Sequence, residues 1–294
     1  MRNNISLLDN FLSYFLSILY LIHDLISNLL ITYKLFYNWY DIIAFKLHIK
    51  KSIKIVFRSR YKNKSHEIKG LYEYNRFWYE LPSINPKVTA LFLQRLGKEY
   101  SFLKFKGRTI LDIGASFGDT SIYFALNGAR KVYAVEPYPY AYKLAIENVR
   151  VNKLMGKIKL TRVAAGTSGY VYLSKNYANT GGSDISHSTI TGIKTNVYSL
   201  KELVKKFKIQ SDSLLKIDCE GCEYSILTDS EISVLRKFKR IQIEYHYGYI
   251  DLINKLSKAG FTTKHTLPRF HINKEASNQK TFIGYIYATR NKNF

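Results

Sequence analysis

Two acidic residues and two glycines near the middle of the chain have the types and spacing of a nucleoside-binding site. Asp112 precedes Gly114 by two residues, Gly118 follows, and Glu136 comes eighteen residues after Gly118. Glycines allow a tight turn and the close approach of a ligand, and an acid at the end of the next strand can accept hydrogen bonds from both ribose hydroxyls. The cofactor-binding residues that we predict are Asp112, Gly114, Ala115, Ser116, Gly118 and Glu136.

The acid before the glycine turn decides which nucleoside cofactor is expected. Dinucleotide sites use the pattern G-x-G-x-x-G and place a pyrophosphate on the helix N-terminus. Here Asp112 directly precedes the turn, and its carboxylate would repel a pyrophosphate. S-adenosylmethionine carries an ammonium and a sulfonium but no phosphate, so we predict S-adenosylmethionine as the cofactor. An NAD-dependent oxidoreductase on the same strand–helix–strand unit is the alternative.

Strands and helices must alternate around these residues to position them. An unbroken apolar strand at 109–111 leads into Asp112, a covered helix spans 117–126, and a buried strand at 131–135 delivers Glu136. The alternation continues, which is typical of an α/β protein with a doubly wound sheet. The further predicted helices are at 138–151, 199–207 and 249–259, and the further strands at 157–163, 170–173, 214–218, 240–246, 261–266 and 282–289. We predict a polar connection at 269–280 and a polar loop at 174–196, the latter either a lid over the acceptor or a surface insertion.

A second group of polar residues follows the fourth and fifth strands of the predicted sheet. Asp218 and Glu220 come at the end of the fourth buried strand, predicted at 214–218, and His246 ends the fifth, predicted at 240–246. The carboxyl ends of parallel strands share one edge of a sheet, so these side chains are expected to face the methyl donor. Methylation of an oxygen requires positioning and a base, and we predict Asp218, Glu220 and His246 as the catalytic residues. Glu223 is the least favoured base because it begins a helix, where an acid also stabilises the N-terminus.

We predict no metal site among these residues. The alternative is a divalent ion held by Asp218, Glu220 and either Glu244 or His246. Loss of turnover in EDTA that magnesium restores would support this alternative.

The two cysteines of the chain, Cys219 and Cys222, form a C-x-x-C pattern in the acidic turn. A zinc site would need two more ligands, and the chain has no second C-x-x-C. We predict that the two cysteines act as small buried hydrophobic residues, with a redox pair as the alternative.

Four segments together resemble the FkbM family of S-adenosylmethionine-dependent methyltransferases. They are DIGASFGDTSIYF from Asp112, the pair Glu136-Pro137, Asn148 with Asn152, and LLKIDCEGCEYSIL from Leu214. The resemblance covers about residues 105–261, and its most specific part is the string Lys-Ile-Asp-x-Glu-Gly-x-Glu. It implies a class I methyltransferase fold, a Rossmann-like sheet whose last strand runs antiparallel. The family usually has apolar or small residues where this chain has its two cysteines.

The resemblance also implies the type of acceptor, a hydroxyl oxygen of a sugar, a glycan or another small metabolite. Two absences after the fourth strand agree with oxygen as the acceptor. The Asn/Asp-Pro-Pro-aromatic string of amino methyltransferases is missing, and so is the Pro-Cys pair of RNA 5-methylcytosine enzymes.

Composition limits the partners and the compartment. The 294-residue chain carries a formal net charge of +23, which predicts long-range attraction to anionic surfaces. We find no dense arginine run and no nucleic-acid-binding motif, so we expect no specific nucleic-acid partner. A non-catalytic membrane-associated or nucleic-acid-associated binding protein is the third alternative. Two cysteines make no disulfide framework, and we therefore expect a cytoplasmic protein, with association with the membrane as the alternative.

The N-terminal part of the chain is predicted to lie outside the methyltransferase domain. The segment from Asn10 to Asp41 is rich in Leu, Ile, Phe and Tyr with a narrow polar stripe at helical spacing. We predict a helix packed on the domain or on a second copy, with a membrane-interface helix and a membrane span as alternatives. The predicted domains are a helical extension at 1–50, a small cap at 51–103 and the methyltransferase domain at 104–294.

Overall fold

A computed structural model describes Tyr40 and residues 52–56, 65–69, 99–173, 192–273 and 279–291. Residues 52–56 and 65–69 belong to one compact unit and residues 99–291 to another. In the smaller unit, β1 (Ser52–Val56) pairs antiparallel with β2 (Ser65–Lys69). Apart from Tyr40, the predicted helix from Asn10 to Asp41 lies outside the described residues, as does most of the predicted 174–196 loop.

The described part of the larger unit contains an eight-stranded main sheet and a separate three-stranded sheet. Its strands are β3 (Thr109–Ile113), β4 (Lys131–Val135), β5 (Ile158–Thr161), β6 (Ala164–Ala165), β7 (Gly169–Leu173), β8 (Ile193–Tyr198), β9 (Ser213–Ile217), β10 (Phe238–Tyr245), β11 (Phe261–His265), β12 (Arg269–Asn273) and β13 (Gln279–Arg290). Its α-helices are α1 (Asp119–Leu126), α2 (Pro139–Val151), α3 (Leu200–Lys206), α4 (Cys222–Thr228), α5 (Ile232–Leu235) and α6 (Ile250–Lys258).

The order of the strands confirms the predicted class I methyltransferase fold. The main sheet runs β11-β13-β10-β9-β3-β4-β5. The pairs from β5 to β10 are parallel, whereas β13 runs antiparallel to both of its neighbours, as predicted. The order of the strands reverses between β3 and β9, because β4 and β5 extend the sheet on one side of β3 and β9 and β10 extend it on the other. Open α/β sheets place their ligands at such a switch point.

The two strands at the centre of the main sheet are β3 and β9. Every residue of both strands is buried, as expected where helices cover both faces of a parallel sheet. One hydrophobic core includes residues of α3, α4 and α6, and the other includes residues of α1 and α2. The central strands thus end at a fixed position between two packed layers.

Two predicted connections contain strands. Ile193–Tyr198, which begins inside the predicted 174–196 loop, forms β8 and pairs with β6 and β7. The polar composition concealed an alternation in which Thr195 and Val197 are buried and their neighbours are not. Arg269–Asn273, predicted as part of a polar connection, forms β12 and pairs with the long β13. Backbone hydrogen bonds to β13 define this strand, and side-chain hydrophobicity gave no signal for it.

In the ranges that are described, no helix combines the length and the apolar character that a membrane span requires.

Candidate active site

The glycine turn after β3 and the acidic turn after β9 pack against each other at the carboxyl edge of the sheet. The backbone N–H of Asp218 donates to the carbonyl of Ile113 at 3.1 Å. A Cβ atom added to Gly114 would lie 1.7 Å from the carbonyl oxygen of Asp218. The close approach that requires a glycine at position 114 is therefore made by the protein's own second turn.

Gly114 and Gly118 both allow two protein segments to approach closely. Gly114 has φ +76°, a conformation that other residues adopt at a cost. Any other residue would also add a Cβ atom that clashes with the Asp218 carbonyl. An added Cβ at Gly118 would lie 3.3 Å from the Cβ of Ala145 in α2. These contacts hold the turn in shape, and cofactor binding by both glycines stays a prediction.

Glu136 lies at the end of β4 and supports the glycine turn. Its side chain is 5% exposed, Oε2 accepts a hydrogen bond from the Ser116 backbone N–H at 2.9 Å, and Oε1 accepts one from the Tyr138 N–H at 2.9 Å. Burial raises the pKa of Glu136 to about 7, against the opposing effect of these hydrogen bonds. Each carboxylate oxygen retains a second lone pair, so the ribose-binding role predicted for Glu136 fits this geometry. Ala115 is fully buried, and its backbone N–H donates to the carbonyl of Val135 at 3.0 Å.

Asp112 is buried and bonded within the protein. Its Oδ2 accepts hydrogen bonds from Thr120 at 2.7 Å and Ser121 at 2.6 Å, both in α1. Its Oδ1 forms an ion pair with Lys216 Nζ at 3.2 Å. The carboxylate therefore fixes α1 and a lysine relative to β3, and its direct contact with a cofactor stays a prediction.

Lys216 is a buried charged residue of the site that was not among the residues predicted from the sequence. It is 1% exposed in β9, and its Nζ donates to the carbonyl oxygen of Gly114 at 2.8 Å. Burial would lower the pKa of Lys216, but Asp112 and Asp218 outweigh burial and raise the pKa above its ordinary value. The lysine thus carries a charge beneath both turns. Its signal was present in the sequence as a single lysine inside the apolar strand Leu-Leu-Lys-Ile.

The acidic turn reverses direction between Asp218 and α4. Glu220 has φ +57° and Gly221 has φ +119°, so two consecutive residues adopt left-handed conformations. The reversal brings the Cα atoms of Cys219 and Cys222 to 5.5 Å, and the two cysteines form a disulfide. The prediction that they are merely packed hydrophobic residues is wrong, because residue spacing alone does not reveal this reversal of the backbone.

His246 lies between two glutamates of this turn. Its Nδ1 is 2.9 Å from Glu223 Oε1, and its Nε2 is 3.1 Å from Glu220 Oε2. Glu223 is fully buried, and it also accepts hydrogen bonds from the backbone N–H groups of His246 and Gly221. Burial would lower the pKa of His246, but Glu220 and Glu223 outweigh burial and hold the pKa well above its ordinary value. Without a ligand in the site, the imidazole is therefore protonated and is a poor base at neutral pH.

The structure brings together the three side chains predicted to be catalytic. Asp218, Glu220 and His246 each direct a ligand atom into one cluster, and these atoms lie within 4.8 Å of one another. The Asp218 side chain is 29% exposed and that of Glu220 is 36% exposed, so both are accessible.

Two further carboxylates surround this cluster. Burial and the charge of Asp218 raise the pKa of Glu244 to about 8. Burial raises the pKa of Glu99, whose carboxylate accepts a hydrogen bond from Tyr285 at 3.3 Å. Glu99 lies before the first strand of the sheet, in a segment without any recognised motif, so no sequence signal could have selected it. An edge of this charge suits a ligand with a sulfonium and an ammonium, as S-adenosylmethionine has.

Comparison with known proteins identifies relatives that are methyltransferases. A family model described as the methyltransferase FkbM domain matches residues 112–263, just over half of the 294-residue chain. Among curated proteins, the ribosomal protein L11 methyltransferase of Carboxydothermus hydrogenoformans is 41% identical over 70 residues, which is 24% of this chain and 22% of that protein. The chain thus aligns with about a fifth of the length of that relative.

Two solved structures illustrate the structural similarity. M. capricolum TrmK, in complex with S-adenosyl-homocysteine, is 15% identical with a TM-score of 0.41, and the alignment covers 66% of this chain and 68% of that one. A putative RNA methyltransferase from Pyrococcus horikoshii is 15% identical with a TM-score of 0.40, over 71% of this chain and 84% of that one.

Proposed function

The chain belongs to the FkbM methyltransferase domain family, with S-adenosylmethionine as its cofactor, and from this premise we propose that it methylates a hydroxyl oxygen of a sugar, a glycan or another small metabolite. The observation that carries the proposal is the convergence of Asp218, Glu220 and His246 beside the glycine turn. These residues come from the ends of two neighbouring parallel strands, β9 and β10.

The residues of β3 and β4 bind and orient the cofactor in this proposal. S-adenosylmethionine supplies a methyl group on a positively charged sulfur, which the acceptor oxygen displaces as its own bond to the methyl carbon forms. Glu136 accepts hydrogen bonds from the ribose through the lone pairs that Ser116 and Tyr138 leave free. The carboxylates of the acidic turn stabilise the positive charge of the bound cofactor.

In this proposal, the acidic turn supplies the group that accepts the proton of the acceptor hydroxyl. Because His246 is held protonated between two glutamates, it positions Glu220 and does not remove the proton itself. Glu220 is the most exposed member of the cluster, and in our proposal it accepts the hydroxyl proton.

The same charges favour a neutral acceptor over an anionic one. The carboxylates of Asp218 and Glu220 are partly exposed at this edge, so they would repel the phosphates of a nucleic acid there. This agrees with a small-molecule or glycan acceptor and with the expectation of no specific nucleic-acid partner. Membrane association or self-association through the N-terminal segment is a separate proposal that these contacts do not address.

Two measurements test the proposed function. Calorimetric titration with S-adenosylhomocysteine should show one binding site, and no binding at millimolar ligand would contradict the proposal. Transfer of a labelled methyl group into a fractionated cell extract should then label a hydroxyl-bearing metabolite or glycan. Label found in amines or RNA would contradict oxygen methylation of a small acceptor.

The Glu220→Gln variant tests the proton acceptor. We expect turnover to fall by about 10²- to 10⁴-fold, since an amide cannot take the proton. Glu231→Gln is the matched control because Glu231 has a 57% exposed side chain that pairs with Lys201 and Ser233, and its turnover should be unchanged. Equal turnover of the Glu220→Gln variant and the control would contradict the assignment.

A further inference from the structure

The donor atoms of Asp218, Glu220 and His246 have the composition and spacing of a metal site. Two carboxylate oxygens and one imidazole nitrogen lie within 4.8 Å of one another, so that a single ion could contact all three. The carboxylates are partly exposed, whereas His246 is 2% exposed. Three protein ligands with one open side resemble catalytic metal sites, which keep positions free for water or substrate.

The orientation of His246 provides a second and independent observation. Glu223 is fully buried, and its Oε1 lies 2.9 Å from His246 Nδ1 and accepts the backbone N–H of the same residue at 3.1 Å. The other oxygen of Glu223 accepts the Gly221 N–H at 2.9 Å. This arrangement places the ring proton on Nδ1 and directs Nε2 at Asp218 and Glu220. A buried carboxylate behind the outer nitrogen of a histidine is the usual support of a metal-binding imidazole.

The surrounding charge favours a cation at this point. Lys216 Nζ lies 3.7 Å from Asp218 Oδ2, but it is already shared with Asp112 and with the carbonyl of Gly114. Two carboxylates and a neutral imidazole carry a charge of about −2, which one divalent ion would balance.

We propose that Asp218, Glu220 and His246 bind a divalent first-row transition ion that holds the acceptor hydroxyl for methylation. The mixture of oxygen and nitrogen donors favours such an ion over Mg²⁺ or Ca²⁺, which prefer oxygen ligands. This extends the alternative that the sequence left open, and it rests on the proposed methyl transfer.

The ion would supply acidity to the acceptor hydroxyl. An oxygen bound to a divalent ion loses its proton more easily, and the proton passes to the carboxylate oxygen of Glu220 that does not bind the ion. The oxygen then forms its bond to the methyl carbon while the carbon–sulfur bond breaks and its electron pair stays on sulfur. Without an ion, His246 Nε2 carries a proton and pairs with Glu220; binding of the ion would release this proton to solvent, and His246 would then act as a neutral ligand.

Mn²⁺ is the probe that tests the site without knowledge of the acceptor. The full chain, stripped with EDTA, should bind one Mn²⁺ in a calorimetric or electron paramagnetic resonance titration. Electron spin-echo modulation of the bound ion should show coupling to a directly bound ¹⁴N of an imidazole. Binding without nitrogen coupling, or no stoichiometric binding, would overturn the site.

The Glu220→Gln variant and the Glu231→Gln control locate the ion. We expect Mn²⁺ affinity to fall at least about tenfold in the first and to stay unchanged in the second. Thermal unfolding of both proteins checks that each is folded. An unchanged affinity in folded Glu220→Gln protein would refute the assignment.

The S-adenosylhomocysteine titration separates the two proposals. If the wild-type chain binds S-adenosylhomocysteine but no Mn²⁺, the metal site is wrong and the methyltransferase proposal stands. If it binds Mn²⁺ with nitrogen coupling but no S-adenosylhomocysteine, the metal site stands and the proposed function fails.

Discussion

The burial of Glu136 should make cofactor affinity depend on pH. Because burial raises its pKa to about 7, this carboxylate is mostly ionised at pH 8 and mostly protonated at pH 6. The ionised form accepts hydrogen bonds from ribose better, so we expect S-adenosylhomocysteine to bind about tenfold more weakly at pH 6 than at pH 8. Calorimetry at the two pH values measures the difference.

The Glu136→Gln variant is the control for this pH dependence. It should bind S-adenosylhomocysteine about 10- to 100-fold more weakly, because a charge-assisted hydrogen bond is lost and an amide N–H₂ faces a backbone N–H. Its affinity should not change between pH 6 and pH 8. In the cofactor-free wild type, ionisation of the buried carboxyl opposes folding, so this group's contribution to the free energy of unfolding falls as pH rises from 4.5 to about 7.

Gly114 belongs to a graded series of three glycines. Gly156 has open space around an added Cβ, Gly107 has open space but φ +69°, and Gly114 combines φ +76° with a contact of 1.7 Å to the Asp218 carbonyl. Substitution by Ala should therefore change the free energy of unfolding little at Gly156, lower it by about 1–2 kcal/mol at Gly107, and lower it by more than about 3 kcal/mol at Gly114. Urea unfolding measures all three. Equal costs at Gly107 and Gly114 would show that the two turns do not pack as described.

At the scale of elements, the turn between β9 and α4 is cross-linked by the disulfide between Cys219 and Cys222. Its disulfide closes a loop of four residues that contains Glu220. Closing so short a loop stabilises the fold by about 2 kcal/mol in the chain-entropy model. We expect a reductant to lower the free energy of unfolding by about this amount.

Urea unfolding with and without reductant measures the effect, and thiol labelling of the native protein should modify both cysteines only after reduction. A Cys219→Ser/Cys222→Ser variant should show no response to reductant. Labelling of both cysteines in the untreated native protein would contradict the disulfide.

The strands at the two turns were well predicted from the sequence, since mostly apolar runs mark β3 and β9, although β9 also contains Lys216. The strands β8 and β12 were missed for the opposite reason. Their residues are polar or mixed, and pairing with β7 and β13 defines them. Tertiary hydrogen bonding thus overrides local composition in both strands.

At the scale of the whole molecule, the sign of the net charge is opposite to that of the carboxylates in the candidate active site. The chain has a net charge of +23, yet its candidate active site gathers carboxylates. The basic surface should attract RNA through its phosphates alone, without sequence preference.

A gel shift with random RNA measures this attraction. We expect complexes at about 50 mM salt that weaken by about 10³-fold or more at about 200 mM, because counterion release drives such binding. S-adenosylhomocysteine affinity should change less than about twofold over the same range. RNA binding that resists the higher salt would instead indicate a specific nucleic-acid partner and contradict our expectation.

The sequence by itself determined the fold family, the cofactor and the three clustered side chains, because strand ends and glycine turns follow from local patterns. The tertiary structure decided what those residues touch. It showed that Gly114 accommodates the Asp218 backbone, that Asp112 holds Lys216, and that His246 is supported by Glu223. These contacts join residues distant in sequence, and the left-handed turn at Glu220 and Gly221 that joins the cysteines depends on packing which no local pattern encodes.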